Sequence, residues 1–473
     1  MLEGLEISEV VYSWILANNF DLRIDSEYFL KKYTHIDSVL SKVATKCTKE
    51  ISSKITDGTH YTPDYQDTGY KFFSAINVSD NYFDADAGFK YISEKEHKQL
   101  YSRCNPMEND VLLRKVGVGD RKACVVPEMD EQFSIFVSVA LIKCKLINPY
   151  YLSTFINSKY GQSQLLRFNK GIGQPDLHLE DIARCQIPML NETFQTKIEQ
   201  LVKVAHKIIL QSKKKYAKAE NLLIKELSLD SWPPSKEATT IRKFSYTQSS
   251  NRWDAEYYQP EYEACKKIIE SYEGGYDIIS YICNVLDANY LPKNGVSYKY
   301  IELANVGKNG EITGYTQCVG EDLPSRARRI VRVGDIIVSS VEGSLQSCAI
   351  IPTELDGALC STGFYVIRSS IFIPEALLVL FKSQPIQMLM KKGCSGTILT
   401  AIGKTEFEKI PLPLVNTTIQ QEISQQVQES FKLRSESKRL LEVAKRTVEI
   451  AIEEDEEKAI QYINKYGKSL YDK

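Results

Sequence analysis

Eleven cysteines are spread over the 473 residues, yet no two stand at the short CxxC spacing of a zinc site. With no signal-peptide pattern at the start, they are expected to be buried thiols in a reducing cytosol, hence a cytoplasmic protein. A long apolar run is also lacking. Val10 to Ala17, the most apolar stretch near the start, is too short to span a bilayer. Charge of one sign is not in excess: the net charge of −2 excludes binding to nucleic acid through overall basicity. Any such surface must be a local patch. The five histidines, His35, His60, His97, His178 and His206, are scattered and form no catalytic cluster in the sequence.

Three stretches resemble pieces of enzyme motifs, and each is incomplete. Gly403-Lys404-Thr405 looks like the end of a phosphate loop, but the required earlier glycine is Ile398. Asn148-Pro149-Tyr150-Tyr151 is similar to the Asn-Pro-Pro-Tyr loop of amino-methyltransferases. It lacks the second proline and a preceding glycine-rich loop, so it reads as a helix start with proline in the first turn. Asp176 followed by Glu180 lacks the lysine of a metal nuclease, and Ala401 replaces Asp176 in the second half.

What is present is a duplication. Asn109-Asp110-Val111-Leu112 returns as Gly334-Asp335-Ile336-Ile337. Pro149 returns as Pro374, Gly171 as Gly396, Pro188 as Pro413, Asn191 as Asn416, Gln195 as Gln420 and Ile198 as Ile423, all 225 residues apart. A solenoid repeat is roughly 20–50 residues long, so this is a duplicated domain. The fronts match at an offset of 229: Arg23, Asp25, Glu27, Tyr28 and Tyr33 answer to Arg252, Asp254, Glu256, Tyr257 and Tyr262. Asp is read there as a helix cap. Phe72–Val78 and Tyr300–Val306 are expected strands, as are Val111–Arg114 and Ile336–Ser339. Ile135–Val139 answers to Thr362–Val366 less tightly. Each half is expected to be a mixed α/β globule with a substantially antiparallel sheet.

Beyond Pro188 and Pro413 the period becomes helical. Phe194, Ile198, Leu201, Ala205, Ile208, Ser212, Ala219 and Leu222 form one seam. Ile419, Ile423, Val427, Ser430, Leu433, Ser437, Leu440, Ala444, Val448 and Ala451 form the other. Steps of three and four predict two long helices, the first about 50 Å, whose seams pair as an antiparallel coiled coil. Trp232-Pro233-Pro234-Ser235 marks a linker. The predicted architecture is α+β. A first domain over 1–190 leads to a helix over 191–227 and a linker over 228–250. A second domain over 251–415 leads to a helix over 416–460 and a tail over 461–473.

This order of features resembles the DNA-specificity subunits of type I restriction–modification systems over nearly the whole chain. The most specific parts are Ile55-Thr56-Asp57-Gly58-Thr59-His60 with Pro63, and the run ending Asn77-Val78. Others are Gly334-Asp335-Ile336-Ile337, Ser361-Thr362-Gly363-Phe364, the opening Arg252–Tyr258, and the segments Gly171–Pro188 and Gly396–Pro413. The second half has no clear counterpart of Asp57–His60 near Tyr290-Leu291-Pro292. The resemblance implies a non-catalytic subunit that holds no cofactor itself. Each target-recognition domain would read half of a split, asymmetric site in double-stranded DNA. The helices would set the spacing and dock two modification subunits that use S-adenosylmethionine to methylate adenine. Motor–nuclease subunits carrying ATP and Mg would complete the complex. A scaffold, or a specificity subunit serving a combined restriction–modification partner, is the alternative.

Phosphate contact needs Lys or Arg, and base readout needs polar side chains on exposed loops. The candidates are Thr59, His60, Tyr61, Arg114, Lys115, Lys170 and Gln174 in the first half. Those in the second are Lys293, Lys299, Ser344, Gln346, Lys391, Lys392 and Ser395.

Overall fold

The computed structural model describes residues 9–18, 23, 25–117, 119–169, 175–229, 239–250, 252–396 and 400–468. Lys170, Gln174 and the Trp232–Ser235 stretch lie outside them. The chain forms two compact units, residues 1–209 with 434–473, and residues 210–433. Both divisions fall inside the long helices. Each unit is therefore a strand-rich module with a portion of each helix.

The first unit has eight core strands: β1 Ser52–Asp57, β2 Tyr65–Gln66, β3 Tyr70–Phe73, β4 Lys90–Ile92, β5 Val111–Arg114, β6 Ala123–Val125, β7 Phe133–Ile135 and β8 Val139–Cys144. They make two sheets, ordered β1-β8-β5-β6 and β7-β3-β4-β2. The second unit has β9 Asn284–Leu286, β10 Ser297–Ile301, β11 Thr316–Val319, β12 Ala327–Ile330, β13 Ile336–Ser339, β14 Cys348–Ile350, β15 Leu359–Ser361 and β16 Phe364–Arg368. Its sheets are β9-β16-β13-β14 and β11-β10-β15-β12. Pairing is antiparallel except between β3 and β7 and between β10 and β15. In each unit the apolar strands of the first sheet are sealed, as the short uninterrupted runs Val111–Leu113 and Ile336–Val338 require.

The helices used below are α1 Lys31–Leu40, α2 Glu94–Arg103, α3 Pro149–Asn157, α4 Lys159–Arg167 and α5 Glu192–Glu226. They continue with α6 Pro260–Glu270, α7 Pro374–Lys382, α8 Gln384–Lys392, α9 Thr417–Glu453 and α10 Glu456–Tyr466.

The residues that repeat in sequence do the same job twice. Asn109 and Gly334 both take positive φ, 66° and 82°, a conformation that Asn and Gly tolerate best. The following Asp110 accepts from Met107 N–H at 2.8 Å and from Lys143 Nζ at 2.6 Å. Asp335 likewise accepts from Arg332 N–H at 2.8 Å and from Arg368 Nε at 2.8 Å. Asp25 and Asp254 cap single 3₁₀ turns and are forked by Arg23 and Arg252. Those arginines also hold the carbonyls of Arg167 and Cys394, which ties each module's opening to the end of α4 and to the residues just after α8. Pro149 and Pro374 open α3 and α7, and Asn148 caps α3.

Two expected strands divide in each half. Phe72–Val78 is β3 followed by a 3₁₀ turn, Ala75–Asn77, because Asn77 Oδ1 takes the Ser74 N–H at 2.9 Å. Asn305 does this to Glu302 N–H, also at 2.9 Å. Ile135–Val139 spans the turn where the chain passes from one sheet (β7) to the other (β8), and Thr362–Gly363 makes the same passage.

In the first unit, Ser437 Oγ donates to the Ala205 carbonyl at 2.8 Å, and Asn191 N–H reaches Glu456 at 2.9 Å. In the second, the Ser212 and Ser430 hydroxyls meet at 3.0 Å, and Lys215 pairs with Glu429. Rising numbers on one helix meet falling numbers on the other, so the seams pack antiparallel as expected. Leu222 is only partly buried, and Leu223 takes its place in the core. The second helix stops at Glu453, short of the expected 460. Asp455 then caps α10 by accepting from Lys458 N–H at 2.7 Å. The linker region carries a short helix, Phe244–Ser250. All eleven cysteines are free thiols; Cys47, Cys144 and Cys318 are half-buried. Among the described residues no helix is long and apolar enough to cross a membrane.

Two outcomes are expected. Gln195 takes the Asn148 N–H at 2.9 Å and donates to the Leu190 carbonyl at 2.8 Å; Gln420 does so for Ile373 N–H and the Val415 carbonyl, at 2.8 Å each. Gln195→Ala should destabilise by about 1–3 kcal/mol and speed hydrogen exchange at Asn148, and Gln420→Ala should do the same at Ile373. Burial would raise the pKa of Glu453, but bonds from Arg446, Lys159 and Tyr160 outweigh it and hold the carboxyl at about 2. That stabilisation is complete above the ordinary value of 4.5 and fades as pH falls toward 2. Thermal melts of Glu453→Gln should show a deficit at neutral pH that narrows across this range.

Candidate functional site

In the first unit the C-terminal ends of β1, β3, β5 and β7 meet at the turn Phe136–Ser138. Val137 N–H donates to the Thr59 carbonyl at 2.9 Å and Lys115 N–H to the Ser138 carbonyl at 3.0 Å. Ala75 N–H reaches Ser138 Oγ at 3.1 Å. Five candidates therefore gather at one rim: Thr59, His60, Tyr61, Arg114 and Lys115. They are not equally placed. The His60 side chain is 68% exposed and Tyr61 is 48% exposed. Thr59 is buried, and its hydroxyl accepts from Tyr61 N–H at 3.3 Å, so it shapes the loop from inside. Arg114 is half-buried and donates to the Ala75 carbonyl at 3.3 Å. Lys115 departs from expectation: its side chain is 4% exposed and lies 3.1 Å from Asp176 and 3.5 Å from Asp57. Its charge is neutralised within the protein rather than offered to a phosphate.

Asp57, Arg103 and Arg121 organise this rim although the sequence did not single them out as site residues. Asp57 is buried and takes Lys115, Arg103 at 3.4 Å and His60 at 3.3 Å. Arg103, on α2, also donates to the Asp57 carbonyl at 2.8 Å and to that of Gly58. Gly58 is required by close approach, since a Cβ there would lie 2.0 Å from the Ile135 carbonyl oxygen. Arg121 is fully buried, and burial lowers its pKa. It holds Asn169 Oδ1 at 2.6 Å and the Pro175 carbonyl at 3.2 Å, the two ends of the segment that carries Lys170 and Gln174.

Strand register supplies a counterpart for Asp57. Thr56 pairs with Leu141 and Leu286 with Val366, and Leu141 and Val366 are 225 apart. Asp287 therefore stands where Asp57 does, three residues before Tyr290. Its partner differs: Lys404 at 2.6 Å, beside Gly403 at the start of a short helix. This is the structural role of the Gly-Lys-Thr stretch.

The second unit's rim is built on the Ser361–Gly363 turn. Ser340 N–H donates to the Gly363 carbonyl at 2.9 Å, Ile402 N–H to the Ser340 carbonyl at 2.8 Å, and Glu342 N–H to the Thr400 carbonyl at 3.0 Å. Beside it lies a groove of about 820 Å³ whose lining is largely apolar, with Glu342, Ser344, Gln346, Lys382, Gln387 and Lys391 among its polar residues. Lys382 rests on the Gln346 carbonyl at 2.6 Å, and burial lowers its pKa. Ser344, Gln346 and Lys391 are thus brought together. Ser395 is exposed on the hairpin that pairs with Ala401. Lys391 is 47% exposed and 3.3 Å from Glu256. Lys392 is turned in, 2.9 Å from Glu263 and over the Tyr257 ring. Lys293 is exposed on the loop before β10. Lys299 reaches back to the Glu354 carbonyl at 2.7 Å, at the end of β15 remote from the Ser361 turn. Among the described residues no three His, Cys, Asp or Glu side chains converge as metal ligands.

No protein-family model and no curated protein matches the chain. Solved structures that align with it include a type-I restriction-modification system S subunit from M. genitalium, with 12% identity over 87% of this chain and 95% of that one and a TM-score of 0.39. Another comes from a study of assembly and conformational transition of the type I R-M system, with 12% identity, 87% and 98% coverage and a TM-score of 0.28. The HsdS subunit from Thermoanaerobacter tengcongensis aligns with 14% identity, 87% and 97% coverage and a TM-score of 0.26. At these scores none of the superpositions fixes the fold or function of this chain.

Gly58→Ala should force the backbones of the Asp57–Tyr61 loop and the Phe136–Ser138 turn apart. Hydrogen exchange should quicken at Thr59 and Val137 while Ser340 and Ile402 in the second unit keep wild-type rates.

Proposed function

We propose that this chain is the DNA-specificity subunit of a type I restriction–modification complex, a non-catalytic reader of a split, asymmetric target in double-stranded DNA. Each unit reads one half-site. The paired helices, about 52 and 55 Å long at 1.5 Å per residue, act as the spacer. They also dock two adenine-methylating modification subunits, which bring S-adenosylmethionine. Motor–nuclease subunits using ATP and Mg join the same assembly. The chain itself holds no cofactor.

The observation that carries this reading is where the two units agree and where they differ. The framework repeats: Asn109 and Gly334, Asp110 and Asp335, Gln195 and Gln420 make matching bonds. The rim does not. Lys115 is answered by Ser340, Arg121 by Gln346 and Asp176 by Ala401. A reader of two unlike half-sites needs one scaffold and two rims, because phosphate contacts position a module while base-edge contacts specify it. His60 and Tyr61 on the first rim, and Gln346, Lys391 and Ser395 with the half-buried Ser344 on the second, are the candidates for contact. Lys170 and Gln174 stay on the list as sequence candidates. Lys115 and Lys392 act as supports.

Selection from a random duplex pool by this chain with its modification partner should yield two short blocks at a fixed gap. His60→Ala with Tyr61→Ala should relax one block and leave the other intact. A pool that stays random, or the loss of both blocks together, contradicts the reading.

A further inference from the structure

Four arginines, Arg326, Arg328, Arg329 and Arg332, fall on β12 and its flanks within seven residues. β12 is where the duplication breaks down. It lies on the edge of its sheet beside β15, the counterpart of β7. In the first unit that edge is covered by α2, whose His97 Nδ1 meets Ser134 Oγ of β7 at 2.9 Å. The first unit's own fourth strand, β2, sits at the other edge, beside β4. One position of a shared scaffold thus holds a mixed-charge helix in one copy and an arginine strand in the other.

The strand is irregular where the charge is densest. Its register with β15 shifts between Ala327 and Arg329, making Arg328 the extra residue of a bulge. Bulges at sheet edges re-aim side chains. Charge on an edge strand can also serve to block strand addition. Here the outer edge is already met from within the unit, since Tyr290 N–H donates to the Arg328 carbonyl at 2.8 Å. Edge protection therefore does not account for the arginines.

Their charges are not directly paired. Among the described residues Arg326, Arg328 and Arg329 have no carboxylate within 4.0 Å. Arg328 Nε makes one bond, to the Ser325 carbonyl at 3.0 Å, and Arg329 Nη1 is buried with no acceptor. Asp287, whose charge reaches Arg329, is itself bonded by Lys404 at 2.6 Å. Arg332 is set aside because Asp356 lies 3.4 Å away.

The strand also begins at the rim. Thr362 N–H donates to the Arg326 carbonyl at 2.9 Å, and the next residue, Gly363, accepts from Ser340, which backs the groove of Ser344 and Gln346. Unpaired guanidinium groups beside the groove that carries Ser344 and Gln346 suit the oxygen-rich backbone of DNA. We infer that β12 is a phosphate-gripping strand peculiar to the second unit, with Arg326 and Arg328 each contacting a DNA phosphate next to that groove. The inference rests on the DNA-reading function proposed above.

The test uses the full chain bound to its modification subunits and a random-sequence DNA duplex, with affinity measured between about 50 and 200 mM salt. Arg326→Gln with Arg328→Gln should bind more weakly and reduce the slope of log affinity against log salt by about 1.8, at roughly 0.9 per phosphate. Arg326→Lys with Arg328→Lys should restore the slope, and Arg326→Gln alone should reduce it by about 0.9. Wild-type slope and affinity in the double Gln variant, with wild-type protein bound normally, overturns this inference and leaves the DNA-reading function standing. Equal impairment of the Gln and Lys pairs also overturns it, as a structural effect. No binding by the wild-type complex overturns both.

Discussion

One glutamine side chain per unit joins a strand module to its long helix, and a fixed geometry depends on that bridge. Gln195 accepts from the first residues of α3 and donates to the chain entering α5; Gln420 does the same between α7 and α9. Each carboxamide accepts from the backbone N–H at the cap of one helix and donates to a carbonyl in the chain leading into the next. Because both partners are backbone, the bond sets the angle between module and helix without depending on side chains elsewhere. A reader that must hold its recognition surface in a set attitude to a spacer needs such a coupling. The Arg23–Asp25 and Arg252–Asp254 forks add a second tie at the module's opening.

The sheets follow from the same economy of means. Short sealed strands form the floor; the C-terminal ends of β1, β3, β5 and β7 arrive at the turn Phe136–Ser138, and that of β13 at Ser361–Gly363. Side chains at that rim can change without disturbing the floor. Buried charge supports the first rim through Asp57 and Lys115, which the half-exposed Asp176 also pairs; a surface pair, Asp287 with Lys404, answers it in the second. The rims are thus built on unlike electrostatics over a common framework, as two recognition surfaces require.

The duplication, the proline-led helices and the antiparallel seam were legible in the sequence because each rests on local chemistry or period. Asn109 and Gly334 share a turn that favours those two residue types, and Pro149 and Pro374 suit a first helical turn. The end of the second helix was not legible. Apolar spacing runs on past Glu453, and only the Asp455 side chain on Lys458 N–H shows where the new helix starts. Lys115 and Lys392 read as surface cations because their carboxylates come from distant segments, Asp57 and Asp176 for one and Glu263 for the other. Arg103 and Arg121 were hidden for the converse reason: each acts on backbone far along the chain. The arginine run of β12 was visible as charge, but its bulge, its covered edge and its position beside the rim are tertiary facts.

The central claim is that this chain alone determines which DNA sequence its complex marks. The most direct measurement is genome-wide adenine methylation in cells carrying the modification partner, with and without this chain. The account predicts a motif of two short, unlike blocks separated by a gap of fixed length, present with the chain and absent without it. An active modification partner that leaves no such motif, or one that persists after the chain is deleted, would contradict it.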